Sequence, residues 1–129
     1  MPPIETLQRL PPFHLESLNR QGIFTTGLLL EVSETPTRRQ YLADQISATT
    51  NDVNSWRDEA LLLNLANFGA LEQVLFAQAG VVGLADLLAH SLDEFRLRIF
   101  RAAQALKVPP PDDLTVEGWW QQAHTLAEE

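Results

Sequence analysis

The segment LANFGALEQVLFAQAGVVGLADLL, residues 65–88, has the pattern of two short helices folded back on each other around a glycine. Hairpins of this kind bind nucleic-acid backbone when a Gly-x-Gly turn exposes N–H groups at a helix N-terminus to a phosphate oxygen. The turn here reads LANFGA, which keeps Gly69 but places Phe68 where that pattern needs open backbone. A first hairpin has the turn LPPFH, in which Pro11 and Pro12 have no N–H to offer. These departures favour hairpins that serve only packing, with Gly69 allowing close approach of helices.

The basic residues concentrate in one predicted helix, where Arg96, Arg98 and Arg101 are followed by Lys107. Such a patch could contact an acidic partner or a nucleic-acid backbone. The alternative, which we favour, is a solvated helix face on which Arg98 pairs with Glu94, four residues earlier. The whole chain carries a net charge of −8, from nine Lys and Arg against seventeen Asp and Glu. A polyanion would therefore be repelled by the chain as a whole.

No combination of residues predicts catalysis or a metal site. The chain has no cysteine, which excludes disulfides, thiolate ligands and a cysteine nucleophile. The three histidines have neither His-x-x-x-His spacing nor an acidic cluster beside them. The acidic pairs Asp58–Glu59 and Asp112–Asp113 are adjacent on predicted helices, so their side chains point in different directions. We therefore expect a protein that is not an enzyme and binds no metal or cofactor.

The elements that position these residues are predicted to be helices throughout. Helix start signals recur along the chain, whereas strand signals are nearly absent, so we predict an all-α fold. Thr35 followed by Pro36 is a cap with a proline at the first helical position. Thr49 and Asp52 predict a capping box at the start of the longest apolar-faced helix, and SLDE, residues 91–94, predicts a second box.

Helix ends are also marked. Gly22 stands where a left-handed residue would end a helix. The segment VPPPD, residues 108–112, stops another, because three consecutive prolines cannot continue it. Asp112 then caps a last helix that is predicted to run to about residue 127.

The chain repeats itself. VNSWRDEALLL, residues 53–63, and VEGWWQQAHTL, residues 116–126, share Val, Trp, Ala and Leu at the four positions of one helical stripe. We predict two halves, about 10–64 and 65–127, each with a hairpin and two further helices. Each half exposes an apolar face that the other can cover, so we expect them to pack as a pseudo-two-fold pair in a single domain over residues 1–129.

Trp120 is a candidate anchor for a protein partner. In the repeat, Trp119 matches Trp56 at a core position, and Trp120 matches Arg57. A residue that matches an arginine is expected to face outward, and exposed tryptophan is a common anchor in interfaces. The alternative, which the sequence leaves open, is that the last helix docks with both indole rings partly covered.

The order of these segments resembles a known family. A hairpin, TPTRRQYLA, the capped helix with Trp56, the second hairpin and a terminal D-x-x-x-V-x-x-W helix are similar to a bacterial family of tandem helix-hairpin-helix domains. That family is catalogued as a domain of unknown function, and the similarity covers about residues 4–127. The resemblance implies a compact pair of helix-hairpin-helix units. It implies nucleic-acid binding only by analogy with other hairpins of this kind.

Composition places the chain among ordinary globular proteins, with 45% hydrophobic and 20% charged residues. Its N-terminus lacks the basic and apolar regions of a signal peptide, and no apolar run is long enough to span a membrane. We therefore expect a soluble cytoplasmic protein with no membrane partner.

These observations lead to a functional hypothesis and a rival. The first is a non-enzymatic protein-interaction domain, an adaptor or scaffold that contacts a protein partner through Trp120, Arg98 and Arg101. The partner could be a second copy of the chain. The rival is a nucleic-acid-binding module that uses Gly69 and the face from Arg96 to Arg101.

Overall fold

The structure, a computed structural model, describes residues 2–128 of the chain, with side chains up to residue 127. A short 3-10 helix, Ile4–Thr6, precedes eight α-helices in this range, and the range contains no β-strand. The all-α prediction is thus confirmed. The helices are α1 Pro12–Arg20, α2 Thr26–Val32, α3 Pro36–Gln45, α4 Thr50–Leu63, α5 Ala70–Gln78, α6 Leu84–Leu88, α7 Leu92–Leu106 and α8 Asp113–Glu128.

The described chain forms two compact units, the first ending at Asn64 and the second beginning at Leu65. Helices α1–α4 lie in the first unit and α5–α8 in the second. The sequence predicts the boundary of its repeat at the same place. The duplication itself, and the grouping of both halves in one domain, stay predictions.

Polar caps start the helices where the sequence predicts them. The Thr35 hydroxyl accepts the Arg38 N–H, and Thr49 and Asp52 form the predicted capping box. The Ser91 hydroxyl accepts the Glu94 N–H at 3.2 Å, but Glu94 does not complete a box, because its carboxylate lies 3.7 Å from His90 Nε2 instead. The second predicted box is therefore only half formed.

The two units end their first hairpin helices in the same way. Gly22 has φ +79° and Gly80 has φ +82°, the left-handed conformation that glycine adopts without strain. In each case the next N–H returns to the helix, from Ile23 to Leu18 O at 3.0 Å and from Val81 to Phe76 O at 2.8 Å. The prediction of a left-handed helix end at Gly22 is confirmed.

Each unit has its own apolar core. In the first, the predicted stripe of α4 is buried, including Val53, Trp56 and Ala60. In the second, Phe76 is the centre of an aromatic cluster, with ring centroids 5.0 Å from Trp119 and 5.6 Å from Phe95. These cores position the hairpins and fix which faces of α7 and α8 remain outside.

None of the described helices combines the length and apolar character needed to cross a membrane.

Candidate functional site

Gly69, the residue of the second hairpin turn, lies directly before α5 as its N-cap. Its N–H donates to Glu72 Oε1 at 2.8 Å. A Cβ built at Gly69 would lie 3.2 Å from that oxygen and within 4 Å of no other helix. Glycine therefore makes room for the Glu72 carboxylate, and the expectation that it allows close approach of two helices is wrong. The place where a phosphate would meet this helix N-terminus already holds an anionic group.

The first hairpin turn is also satisfied by a carboxylate of the chain. Glu59, on α4, is buried, and its two oxygens accept the N–H groups of Gln8 and Arg9 at 2.7 and 3.0 Å. The Arg9 guanidinium lies 2.9 Å from Asp58. Pro11 and Pro12 then begin α1 without N–H groups. The N–H groups of Gln8 and Arg9, which precede this turn, are thus used inside the unit.

Phe68, which the sequence places over the second turn, packs into the core. It is half-buried, with its ring centroid 4.8 Å from that of Phe76 and 6.4 Å from that of Trp119. The Trp119 indole N–H donates to Ala66 O at 2.8 Å, so the same tryptophan also anchors the backbone just before the turn. Glu72, and not the phenylalanine ring, is the group that closes the helix end.

The three arginines of α7 have different surroundings. Arg96 joins α7 to α8, with Nη2 3.3 Å from Glu117 Oε2, and it also lies 3.7 Å from Asp93. Arg98 and Arg101 are exposed, and within the described residues neither has a carboxylate at ion-pair distance. The predicted pairing of Arg98 with Glu94 is not formed.

Arg98 and Arg101 share a pocket of the second unit, which we call the α5–α7 pocket. It has a volume of about 370 Å³ and lies where the C-terminal end of α5 meets α7. Arg98 donates to Ala79 O, at the end of α5, over 3.5 Å. Leu97 forms part of the wall and is 46% exposed. The other lining residues are Gln78, Ala79, Glu94 and Ala102.

Trp120 is not part of this pocket. It is half-buried, its indole donates to His90 O at 3.1 Å, and its ring lies 4.0 Å from the ring of His124, centroid to centroid. His90 follows α6, so this hydrogen bond closes the corner between α6 and α7 within the second unit. The structure thus corresponds to the alternative in which the ring is partly covered.

Arg57, the residue of the first unit that the predicted repeat matches to Trp120, does not face outward either. Arg57 is half-buried and donates to Leu30 O at 2.9 Å and to Ser33 Oγ at 2.8 Å, at the end of α2. Burial lowers the pKa of its guanidinium, and the nearby charge of Arg39 lowers it further. Both residues therefore close the second hairpin helix of their own unit, and the premise that an arginine position must be an outer one is wrong.

The first unit has a pocket in the corresponding place, which we call the α1–α3 pocket. It has a volume of about 330 Å³ and is lined by Arg38 and Tyr41 of α3. These two residues precede Ser47 by as many positions as Arg98 and Arg101 precede Lys107, and both Ser47 and Lys107 have φ +58°. Tyr41 is 67% exposed. The other lining residues are Gln21, Ile23, Val32, Leu42 and Gln45.

Sequence reasoning missed a group of apolar side chains exposed on the second unit. Leu71 and Val74 on α5 are each 54% exposed, and Phe100 on α7 is 48% exposed. Leu71 and Val74 are three residues apart and so share one helical face. This spacing is visible in the sequence, but most residues of α5 are apolar, so the pattern alone does not show which face of the helix is exposed.

Among the side chains that the structure describes, no group of three or more His, Asp or Glu is placed to hold a metal ion.

Comparison with known proteins places the chain in a family. The model of a domain of unknown function, DUF4332, matches residues 9–126. The chain belongs to this family. No curated protein matches it, and no solved structure does. The match confirms that the chain belongs to a family catalogued as a domain of unknown function, as the resemblance implied. It does not test the helix-hairpin-helix interpretation, which rests on the chain's own features.

Proposed function

We propose that this protein is a non-enzymatic interaction domain, built from two helix-hairpin-helix units, that binds another protein. The observation that carries the proposal is the exposure of four large apolar side chains, two on α5 and two on α7, and these two helices pack against each other. Exposed apolar surface of this kind is typical of protein-binding sites. The four residues are Leu71, Val74, Leu97 and Phe100.

The tandem duplication is part of the proposal. In addition to the shared glycines Gly22 and Gly80, the third helix of each unit, α3 and α7, ends in the same way. Ser47 and Lys107 both have φ +58°, and in each case the N–H of the next residue bonds back to the helix. The stripe residues Trp56 and Trp119 are both buried. These shared features support a common ancestry of the two units, and the pseudo-two-fold pairing predicted from the sequence belongs to the same proposal.

The two hairpin turns provide the argument against the rival hypothesis, a nucleic-acid-binding module. A nucleic-acid hairpin binds phosphate through free N–H groups at a helix start, but Glu72 closes one turn, and prolines with Glu59 close the other. Arg96 is engaged with Glu117. Of the residues assigned to the rival, Arg98 and Arg101 alone remain available, which is fewer than the several phosphate contacts that a duplex binder uses.

The test compares Leu97→Glu with Leu114→Glu as a matched control. Leu114, on α8, is 82% exposed and lies outside the α5–α7 pair. The tagged full chain is used to capture proteins from a nuclease-treated lysate, followed by quantitative mass spectrometry. We expect the wild type and Leu114→Glu to enrich the same protein and Leu97→Glu to lose it. The proposal fails if no protein is enriched, or if both variants retain it equally.

The cytoplasmic location stays a prediction from the N-terminal sequence. A second copy of the chain is one possible partner, and sedimentation equilibrium of the purified protein distinguishes it from a different protein.

A further inference from the structure

We propose that the α5–α7 pocket binds carboxylate groups of an acidic, aliphatic segment of the partner protein. The inference rests on the proposed function, because it names the chemistry of the partner that the same surface would select. Its occupant is an Asp- or Glu-bearing peptide segment, with the carboxylate at Arg98 and Arg101 and an aliphatic neighbour against Leu97.

The first argument is the charge of the pocket. The chain has nearly twice as many acidic as basic residues. Three arginines of the first unit, Arg38, Arg39 and Arg57, donate to backbone carbonyl groups of that unit. Arg9 pairs with Asp58, Arg20 with Glu16 and Arg96 with Glu117. Arg98 and Arg101 have no such carboxylate in the described part of the chain, although acidic residues are abundant. Two guanidiniums in one concave site, without carboxylate partners, are complementary to an acidic ligand.

Arrangement in the pocket supports a carboxylate in particular. Arg98 and Arg101 are three residues apart on α7, so both guanidiniums reach the same side of the helix. The one acidic side chain that lines the pocket, Glu94, has its carboxylate 3.7 Å from His90. A planar carboxylate accepts two parallel N–H bonds from one guanidinium, which gives orientation as well as attraction.

The walls favour a peptide over a polynucleotide. Ala79, Leu97 and Ala102 give the pocket an apolar side next to its cations. A volume of about 370 Å³ accommodates one or two side chains. These two guanidiniums would attract the phosphates of a nucleic-acid strand, but the rest of the strand would be repelled by a chain with net charge −8. A short segment with one or two carboxylates avoids most of that repulsion.

The first unit provides an internal control for this chemistry. In the α1–α3 pocket, Tyr41 stands where the second unit has Arg101. Arg38, in the position of Arg98, donates to Glu31 O at 3.4 Å, at the C-terminal end of α2. This pocket has one cation instead of two, and we expect it to select acidic peptides weakly or not at all.

The experiment uses an unbiased probe, a phage-displayed library of random peptides of about 12 residues, a length that fills a recognition groove. The library is selected against the full chain, and the most enriched peptide is synthesised for fluorescence-anisotropy titration. We expect selected peptides to be enriched in Asp and Glu next to Leu, Ile, Val or Phe. The double variant Arg98→Gln/Arg101→Gln is expected to weaken binding about tenfold or more, since it removes both charged donors. Arg38→Gln, the matched control, is expected to change binding less than about twofold.

Both variants replace exposed guanidiniums, so their thermal melting curves are expected to match that of the wild type and to separate binding from folding. Selection of peptides without acidic enrichment overturns the inference, as does equal binding by the double variant, and both results leave the proposed function standing. Selecting no peptide at all also overturns the inference. The proposed function fails separately, through the lysate experiment with Leu97→Glu. In a competition titration, a single-stranded oligonucleotide and the unlabelled peptide are each used to displace the labelled peptide. If the oligonucleotide displaces it at the lower concentration, the choice of a protein ligand is overturned.

Discussion

Glu72 and Trp120 show how single side chains decide what the hairpins can do. The Glu72 carboxylate accepts the Gly69 N–H and so occupies the helix N-terminus that a phosphate would need. Trp120 donates to His90 O, which ties α8 to the end of α6, and its ring packs at a tilt against His124 on the same helix. Both side chains are therefore engaged inside the second unit, and the partner surface that we propose lies elsewhere in this unit, on α5 and α7.

The role of Trp120 is tested by Trp120→Phe. This change keeps an aromatic ring but removes the N–H donor to His90 O, and we expect a loss of about 1 kcal/mol in the free energy of unfolding. The measurement is urea denaturation followed by far-UV circular dichroism. Leu114→Ala is the control, because Leu114 is 82% exposed and its truncation should change stability by less than about 0.5 kcal/mol. Wild-type stability of Trp120→Phe, together with loss of the captured partner, would instead make Trp120 an interface anchor.

At the scale of elements, local sequence determined where helices begin and end. Thr35, Thr49 and Gly22 act through residues three to five positions away, so their patterns were readable without tertiary information. The ion pair expected between Arg98 and Glu94 failed for a tertiary reason, since Arg98 meets the end of α5 and Glu94 meets His90. Pockets between helices depend on such packing, which explains why the α5–α7 pocket was not predicted although its arginines were.

The capping box of α4 predicts a specific dependence on pH. The Thr49 N–H and then the Thr49 hydroxyl lower the pKa of Asp52 from its ordinary value of 3.8. A lowered folded-state pKa means that the contribution of Asp52 to stability is present above that ordinary value and is lost as the pH falls through the folded-state pKa. We expect Asp52→Asn to be less stable than the wild type at about pH 6 and the difference to shrink below about pH 3.5. Urea denaturation at both pH values measures this. A difference that is independent of pH would contradict the role of the carboxylate.

The matched helix ends allow a test of the duplication. Gly22→Ala and Gly80→Ala each force a side chain into the left-handed region, and we expect each to cost about 1 kcal/mol of unfolding free energy. An added Cβ meets nothing within 4 Å at Gly22 and only Arg98, at 3.8 Å, at Gly80, so the cost is conformational. Gly118→Ala, inside α8, is the control and should stabilise the chain by up to about 1 kcal/mol. Costs that differ by more than about twofold between Gly22 and Gly80 would argue against equivalent roles, and thermal or urea unfolding supplies the values.

For the whole molecule, the net charge and the closed turns both disfavour binding of nucleic acid. A net charge of −8 was readable from composition, but the engagement of Glu59 and Glu72 required the structure, because Glu59 contacts residues about fifty positions away. The sequence therefore predicted the all-α class of fold, whereas the absence of phosphate binding stays a prediction. It could not predict which of the cations stay available, since Arg96 and Arg101 differ only in the helix that each one faces.

We propose that a domain with both hairpin turns closed in this way does not bind nucleic acid. The most direct measurement is fluorescence anisotropy of a labelled DNA duplex and a labelled RNA strand, titrated with the full chain at about 50 mM salt. We predict no saturation up to about 100 μM protein, because too few cations are available for phosphate contacts. Micromolar binding that weakens steeply when the salt is raised to about 200 mM would show that the closed turns do not prevent phosphate contacts.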